Sequence, residues 1–316
     1  TAPPLTPVMM SLQQVATGFA WAENLVCAKL GGIPALYATE NKRGELWRID
    51  WSPDSSYTQT MLPLSSNFSL LAGLASIDDR VFALGNRDSS AAEGKVCDLV
   101  EVLEDGSFDV IAKLPRECLG DGLAVHKHAS LGLVFHSANE GLFMPNRGRV
   151  YRIESSSVTD VLPHGFADDG AYIDPQTGLL YISEVASLEH AVRVYDVSGS
   201  NSTLVNTLHP QGVRALDDFS VHNGTLYGAD YLAGCAISIE VHKETAPHAT
   251  QLACGIRTPT SARFGCSSDQ FHGLSNEVLF VSEGGGLSKS VNDRRVLALR
   301  MSATDQGHGA AQYGRE

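Results

Sequence analysis

One short strand recurs six times along the chain, and each copy carries a Tyr or Phe. The copies are Ala35-Leu36-Tyr37-Ala38, Val81-Phe82-Ala83-Leu84, Leu133-Val134-Phe135-His136, Leu179-Leu180-Tyr181-Ile182, Thr225-Leu226-Tyr227-Gly228 and Val278-Leu279-Phe280-Val281. The aromatic residues are spaced by roughly 45 to 53 residues, the period of a propeller blade. A shorter strand of small residues precedes several copies, as in Gly73-Leu74-Ala75, Gly122-Leu123-Ala124-Val125 and Gly170-Ala171-Tyr172-Ile173. Small side chains suit the innermost strand of a blade, where six sheets converge on one axis. Turn sequences such as Asp174-Pro175-Gln176-Thr177-Gly178 and Asn223-Gly224 join inner to second strands as hairpins. After each aromatic strand comes an alternating segment, for example Gly44-Glu45-Leu46-Trp47-Arg48-Ile49-Asp50. The pattern predicts an all-β, six-bladed β-propeller filling residues 1–316 as one domain. Its blades are expected near 20–66, 67–115, 116–163, 164–210, 211–255 and 256–301. A strand at 9–16 is expected to close the ring beside Val296-Leu297-Ala298-Leu299, leaving no free sheet edge there.

Composition narrows the partners. The net charge of −13 disfavours nucleic acid and an anionic membrane surface. No apolar run approaches the roughly 20 residues of a membrane span. The chain begins Thr1-Ala2-Pro3 and carries sequons at Asn67, Asn201 and Asn223. These features predict a secreted, glycosylated product. Its six cysteines are Cys27, Cys97, Cys118, Cys235, Cys254 and Cys266. In a secreted chain they read as disulfides, with several pairings open. The favoured set is Cys254 with Cys266 inside one connection, Cys97 with Cys118 inside one blade, and Cys27 with Cys235.

Aligning the repeats puts polar residues at one mouth of the channel, where the inner strands begin. The segments are Trp21-Ala22-Glu23-Asn24, Gly120-Asp121-Gly122, Asp168-Asp169-Gly170, Leu216-Asp217-Asp218-Phe219 and Thr258-Pro259-Thr260-Ser261. Loops expected to open there carry Asn86, Arg87, Asn139, Phe143, Met144, Glu184, Asp230, Tyr231 and Glu283. Carboxylates at matching repeat positions support three uses. They can bind Ca²⁺, which takes six to eight oxygens, with Asp121, Asp169 and Asp217 as ligands. They can form the polar floor of an organic site with raised pKa values. They can also cap turns by bonding the backbone. His126 and His128 share one side of a strand and read as solvated. No nucleophile elbow, P-loop or dinucleotide fingerprint is present.

Several of these segments resemble the senescence-marker/gluconolactonase-like propeller superfamily. Trp21-Ala22-Glu23-Asn24-Leu25, Ala72-Gly73-Leu74-Ala75, Asp217-Asp218-Phe219, Thr258-Pro259-Thr260-Ser261-Ala262-Arg263-Phe264-Gly265 and Val281-Ser282-Glu283-Gly284-Gly285 are similar to a fungal secreted branch. That branch includes hetero-Diels–Alderases of tropolone–sesquiterpenoid biosynthesis. The resemblance implies an enzyme that needs no cofactor and acts on small apolar or aromatic molecules. It would dehydrate a hydroxymethyl-tropolone to an o-quinone methide and guide cycloaddition to a sesquiterpene alkene such as humulene. Asp169 or Asp218 is then the expected acid, and Arg87 the holder of the tropolone oxygens. Trp21, Phe143, Tyr172 and Tyr231 are the expected walls, with Asn24, Asp121, Asn139 and Glu283 as further substrate contacts. The metal-dependent lactonases of the superfamily imply a second reading, a Ca²⁺-dependent hydrolase. Their three ligand positions were matched to Gly18, Asp169 and Asp217, so one donor is lost unless Glu23 or Asn24 substitutes. A carrier without catalysis is the third reading. The oligomeric state is left open.

Overall fold

The computed structural model describes residues 12–51, 56–88, 95–114, 122–139, 149–155, 157–160, 168–184, 190–199, 201–241, 246–264, 278–284 and 293–301. Each aromatic repeat is the second strand of a four-stranded antiparallel meander, and six meanders form the ring. Blade 1 holds β2 (Ala22–Leu30), β3 (Ile33–Glu40), β4 (Glu45–Trp51) and β5 (Tyr57–Met61). Blade 2 holds β6 (Phe68–Ile77), β7 (Arg80–Asp88), β8 (Lys95–Val102) and β9 (Phe108–Leu114). Blade 3 holds β10 (Leu123–His128), β11 (Gly132–Asn139), β12 (Arg149–Glu154) and β13 (Ser157–Asp160). Blade 4 holds β14 (Asp168–Ile173), β15 (Leu179–Glu184), β16 (Val192–Asp196) and β17 (Thr203–Leu208). Blade 5 holds β18 (Leu216–His222), β19 (Thr225–Asp230), β20 (Cys235–Glu240) and β21 (Thr250–Cys254). Blade 6 holds β22 (Pro259–Phe264), β23 (Val278–Glu283) and β24 (Arg294–Arg300).

The fourth strand of blade 6 comes from the other end of the chain. It is β1 (Leu12–Phe19), antiparallel to β24 from Leu12↔Leu299 to Phe19↔Arg294. It therefore closes the ring as expected, with its described part running three residues beyond the anticipated end.

Side-chain alternation sends each blade's apolar residues into the seams with its two neighbours. One buried cluster fills each seam. Leu25, Leu36, Val278 and Phe280 join blades 1 and 6, while Phe82, Leu99, Phe135 and Ile153 join blades 2 and 3. Hydroxyls tie the inner strands across these seams. Thr39 Oγ1 donates to Ala72 O at 2.9 Å, Ser183 Oγ to Asp217 O at 3.1 Å, and Ser282 Oγ to Glu23 O at 2.6 Å. These hydroxyls stand two residues after the repeat aromatic in blades 1, 4 and 6. The blades approach closely at the axis. A Cβ on Gly122 would lie 2.1 Å from Asp169 O, and one on Gly170 would lie 2.7 Å from Asp217 O. Glycine at the inner strand is thus required by the neighbouring backbone.

The disulfide expectation needs correction. Cys235 is bonded to Cys254, with Cα atoms 4.1 Å apart. The two are direct register partners on β20 and β21, so the sheet itself places their side chains together. This excludes Cys254 with Cys266 and Cys27 with Cys235. Cys27 and Cys97 are also disulfide-bonded, while Cys118 and Cys266 lie outside the described residues.

Candidate functional site

Two mouths flank the channel: an upper one where inner strands begin and a lower one where they end. The residue three positions after the repeat aromatic ends the second strand at the upper mouth. It is acidic in four blades: Glu40, Glu184, Asp230 and Glu283. Three of these caps receive backbone N–H groups from the connection entering their own blade. Glu40 accepts from Trp21 N at 2.8 Å, and Asp230 from Arg214 N and Ala215 N at 3.0 and 3.1 Å. Glu283 accepts from Arg257 N at 3.3 Å and holds Arg295 through both oxygens, at 2.8 and 2.6 Å. Glu184 and the buried Asp168 share Arg193. Glu283, expected to contact substrate, is thus occupied as a cap and an ion-pair partner.

The inner strands carry a feature that the repeat alignment did not reveal. Register breaks occur at Ala22/Leu25, Leu71/Leu74, Asp168/Ala171, Leu216/Phe219 and Pro259/Ser261. A bulge adds backbone at one point, bends the strand and re-aims its side chains. Here the bulges present Glu23 and Asn24, then Asp169, then Asp217 and Asp218, all buried. Asn24 N donates to Thr39 Oγ1 at 2.9 Å, and Asp217 Oδ1 accepts from Asp218 N at 2.9 Å.

Glu23 holds in blade 1 the bulge position that Asp169 and Asp217 hold in blades 4 and 5. Gly18 is instead on outermost β1, where its carbonyl accepts from Arg43 Nη2 at 2.8 Å. Among the described residues, no three His, Cys, Asp or Glu side chains converge as a metal cage. Asp121, the other expected ligand, lies outside those residues.

The remaining candidates are dispersed. Arg87 Nη2 is 2.7 Å from the buried Asp98, whose carboxyl is pushed up from its ordinary value by burial. The Arg87 guanidinium is therefore committed inside blade 2. Trp21 lies beneath the Lys42 ammonium, 4.8 Å from its ring centre. Tyr231 is half-buried, and its N–H donates to Ala215 O at 2.9 Å. Asn139 ends β11, whereas Phe143 and Met144 lie outside the described residues. Asn67, Asn201 and Asn223 are all exposed.

A cavity of about 720 Å³ opens at the lower mouth, the end opposite the one anticipated. Leu74, Ile77, Leu123, Val125, Ile173 and Phe264 make its walls mainly apolar. Tyr172 and Arg263 supply polarity at its axial end. From β22, Arg263 spans the channel. Its Nε donates to Leu25 O of blade 1 at 2.7 Å, and its Nη2 to Asp218 Oδ2 of blade 5 at 3.1 Å. Its carbon centre stands 5.2 Å from the ring centre of Tyr172 in blade 4. Nη1 makes no hydrogen bond among the described residues and is not enclosed, so this donor is left to the cavity.

Asp218 also accepts from Ser261 Oγ at 2.8 Å, while its buried Oδ1 has no partner. Burial pushes its carboxyl above the ordinary value, against the opposing pull of Arg263 and Ser261. Tyr172 is likewise pushed up by burial. The structure thus brings two predicted residues, Asp218 and Tyr172, together around an arginine that the sequence had not marked as functional.

His126 belongs to the cavity wall and stacks on His136, with ring centres 5.5 Å apart. Burial lowers these two imidazoles to about 4 and about 3 respectively. His126 is therefore a neutral buried ring and not the solvated one expected.

No protein-family model matches the sequence, and no curated protein matches it either. Solved structures do resemble it. A gluconolactonase from Xanthomonas campestris gives a TM-score of 0.65 at 13% identity, covering 94% of this chain and 91% of its own. A calcium-binding regucalcin from Agrobacterium tumefaciens also gives 0.65 at 13% identity, covering 93% and 95%. A luciferin-regenerating enzyme gives 0.63 at 14% identity, covering 93% and 98%. What the chain shares with them is the fold.

Proposed function

We propose that this chain is a hetero-Diels–Alderase-like enzyme whose site is the lower cavity with Asp218, Arg263 and Tyr172 at its end. The observation carrying the proposal is the junction of a mainly apolar cavity with a buried acid and an available guanidinium donor. Its size falls within the roughly 300–1,000 Å³ typical of small-molecule sites. A protonated Asp218 would donate its proton to the leaving hydroxyl of a hydroxymethyl-tropolone. The C–O bond would break, water would leave, and Asp218 would recover a proton from the ring hydroxyl, leaving an o-quinone methide. Arg263 Nη1 would hold the ring oxygens, the role first given to Arg87. Cycloaddition to an alkene such as humulene then needs orientation between apolar walls, which can contribute about 7–11 kcal/mol.

Disulfide-bonded Cys27, Cys97, Cys235 and Cys254, with exposed sequon asparagines, support a secretory location as part of this proposal. A Ca²⁺-dependent hydrolase draws on the matching bulges of Glu23, Asp169 and Asp217. Their failure to converge makes it the weaker reading.

The test supplies a hydroxymethyl-tropolone and humulene and resolves the adducts on a chiral column. One dominant stereoisomer is expected. Asp218→Asn should slow adduct formation by about 10²–10⁴-fold, yet keep stereoselectivity when a quinone methide is generated in place. A stereochemical mixture equal to the buffer reaction would overturn the proposal, as would undiminished turnover by Asp218→Asn.

A further inference from the structure

The Asp218–Arg263 contact makes the charge offered to this cavity depend on one proton. With Asp218 ionised, Arg263 Nη2 already faces a carboxylate. With Asp218 neutral, the guanidinium presents an uncompensated positive charge at the end of an apolar cavity. Around Asp218 stand Arg263 and Ser261 on β22, Tyr172 on β14 and its own neighbour Asp217. The charged groups farther along the wall are engaged. Lys127 pairs with Asp78, and Asp174 accepts from Gln176 N and Thr177 Oγ1. His128 contacts Ser198 O, and His126 is neutral. Arg263 is thus the cation facing the cavity from its axial end.

We propose that the cavity captures amphipathic monocarboxylates as anions, with the carboxylate on Arg263 Nη1 and a proton taken up by Asp218 in the same event. The apolar tail lies along Leu74, Leu123, Val125 and Ile173. This inference rests on the lower cavity being the ligand site, but it requires no turnover. Binding linked to uptake of one proton weakens about tenfold per pH unit above the pKa of the free carboxyl.

The test is a fluorescence titration with cis-parinaric acid and its methyl ester between pH 5.5 and about 8, a range chosen to bracket the linkage. The acid should bind and the ester should bind at least about tenfold more weakly, having lost the charged contact. Asp218→Asn, a neutral near-isostere, should bind the acid with little pH dependence. Equal affinity for acid and ester would overturn the proposal, as would an unchanged pH slope in Asp218→Asn or no binding at all. Arg263→Lys, which keeps the charge, should retain preference for the acid even if weakened; an ester preference would count against the anchor. Parinaric acid binding without cycloaddition leaves this inference intact and removes the enzyme reading. Cycloaddition without parinaric acid binding does the reverse.

Discussion

Asp218 and His136 are both deeply buried, and burial acts on them in opposite senses. It favours the neutral acid in one and the neutral base in the other. His136 has a folded pKa of about 3 against an ordinary 6.5. The unfolded chain therefore binds a proton that the folded chain refuses between those values. The associated stability is present above pH 6.5 and is lost as pH falls from there toward 3. Between pH 7 and 5 this amounts to about 2 kcal/mol for one histidine. Urea unfolding at both values should show the wild type losing about that much more than His136→Phe. Parallel losses would mean that His136 is not held neutral.

At this scale the sequence revealed the acid but not its partner. Asp218 stood out because carboxylates recur at matching repeat positions. Arg263 lacks such repeats, and only folding brings its guanidinium across the axis. Glu283 was legible as a polar mouth residue, but its occupation by Arg295 depends on pairing between β23 and β24.

Among the elements, the second strands were the most legible because aromatic spacing and period-two alternation agree. The inner strands were placed correctly, but their bulges were not. A bulge changes which side chains share a face without changing composition, so the alignment could not reveal how Asp169, Asp217 and Asp218 divide their directions. The hydroxyl two residues beyond the aromatic was visible in Thr39, Ser183 and Ser282, although its role emerges only between blades. Ser282 Oγ bonds Glu23 O and lies 2.9 Å from Thr260 Oγ1, linking the last blade to the first. Ser282→Ala should lower stability by about 1–3 kcal/mol because a buried carbonyl loses its donor. Chemical denaturation checks this; an unchanged midpoint would show that the rung contributes nothing at ring closure.

As a whole, the molecule joins its chain ends in one blade, so ring integrity depends on β1 staying against β24. The disulfide between Cys235 and Cys254 instead staples neighbouring strands within blade 5. Sequence proximity favoured Cys266 for Cys254, but strand register decided the pair. It joins residues separated by 19 in sequence. Replacing both by serine should cost about 3 kcal/mol through greater freedom of the unfolded chain. A melting temperature equal to wild type under non-reducing conditions would contradict that effect.

The fold supplies two polar regions: the bulged inner strands near the upper mouth and the arginine-ended cavity below. A crystal structure with bound tropolone would distinguish them most directly. The account predicts the tropolone oxygens within hydrogen-bond reach of Arg263 Nη1, with the ring against the apolar wall near Tyr172. Tropolone at the upper mouth among Glu23, Asp169 and Asp217, with the lower cavity unoccupied, would contradict it.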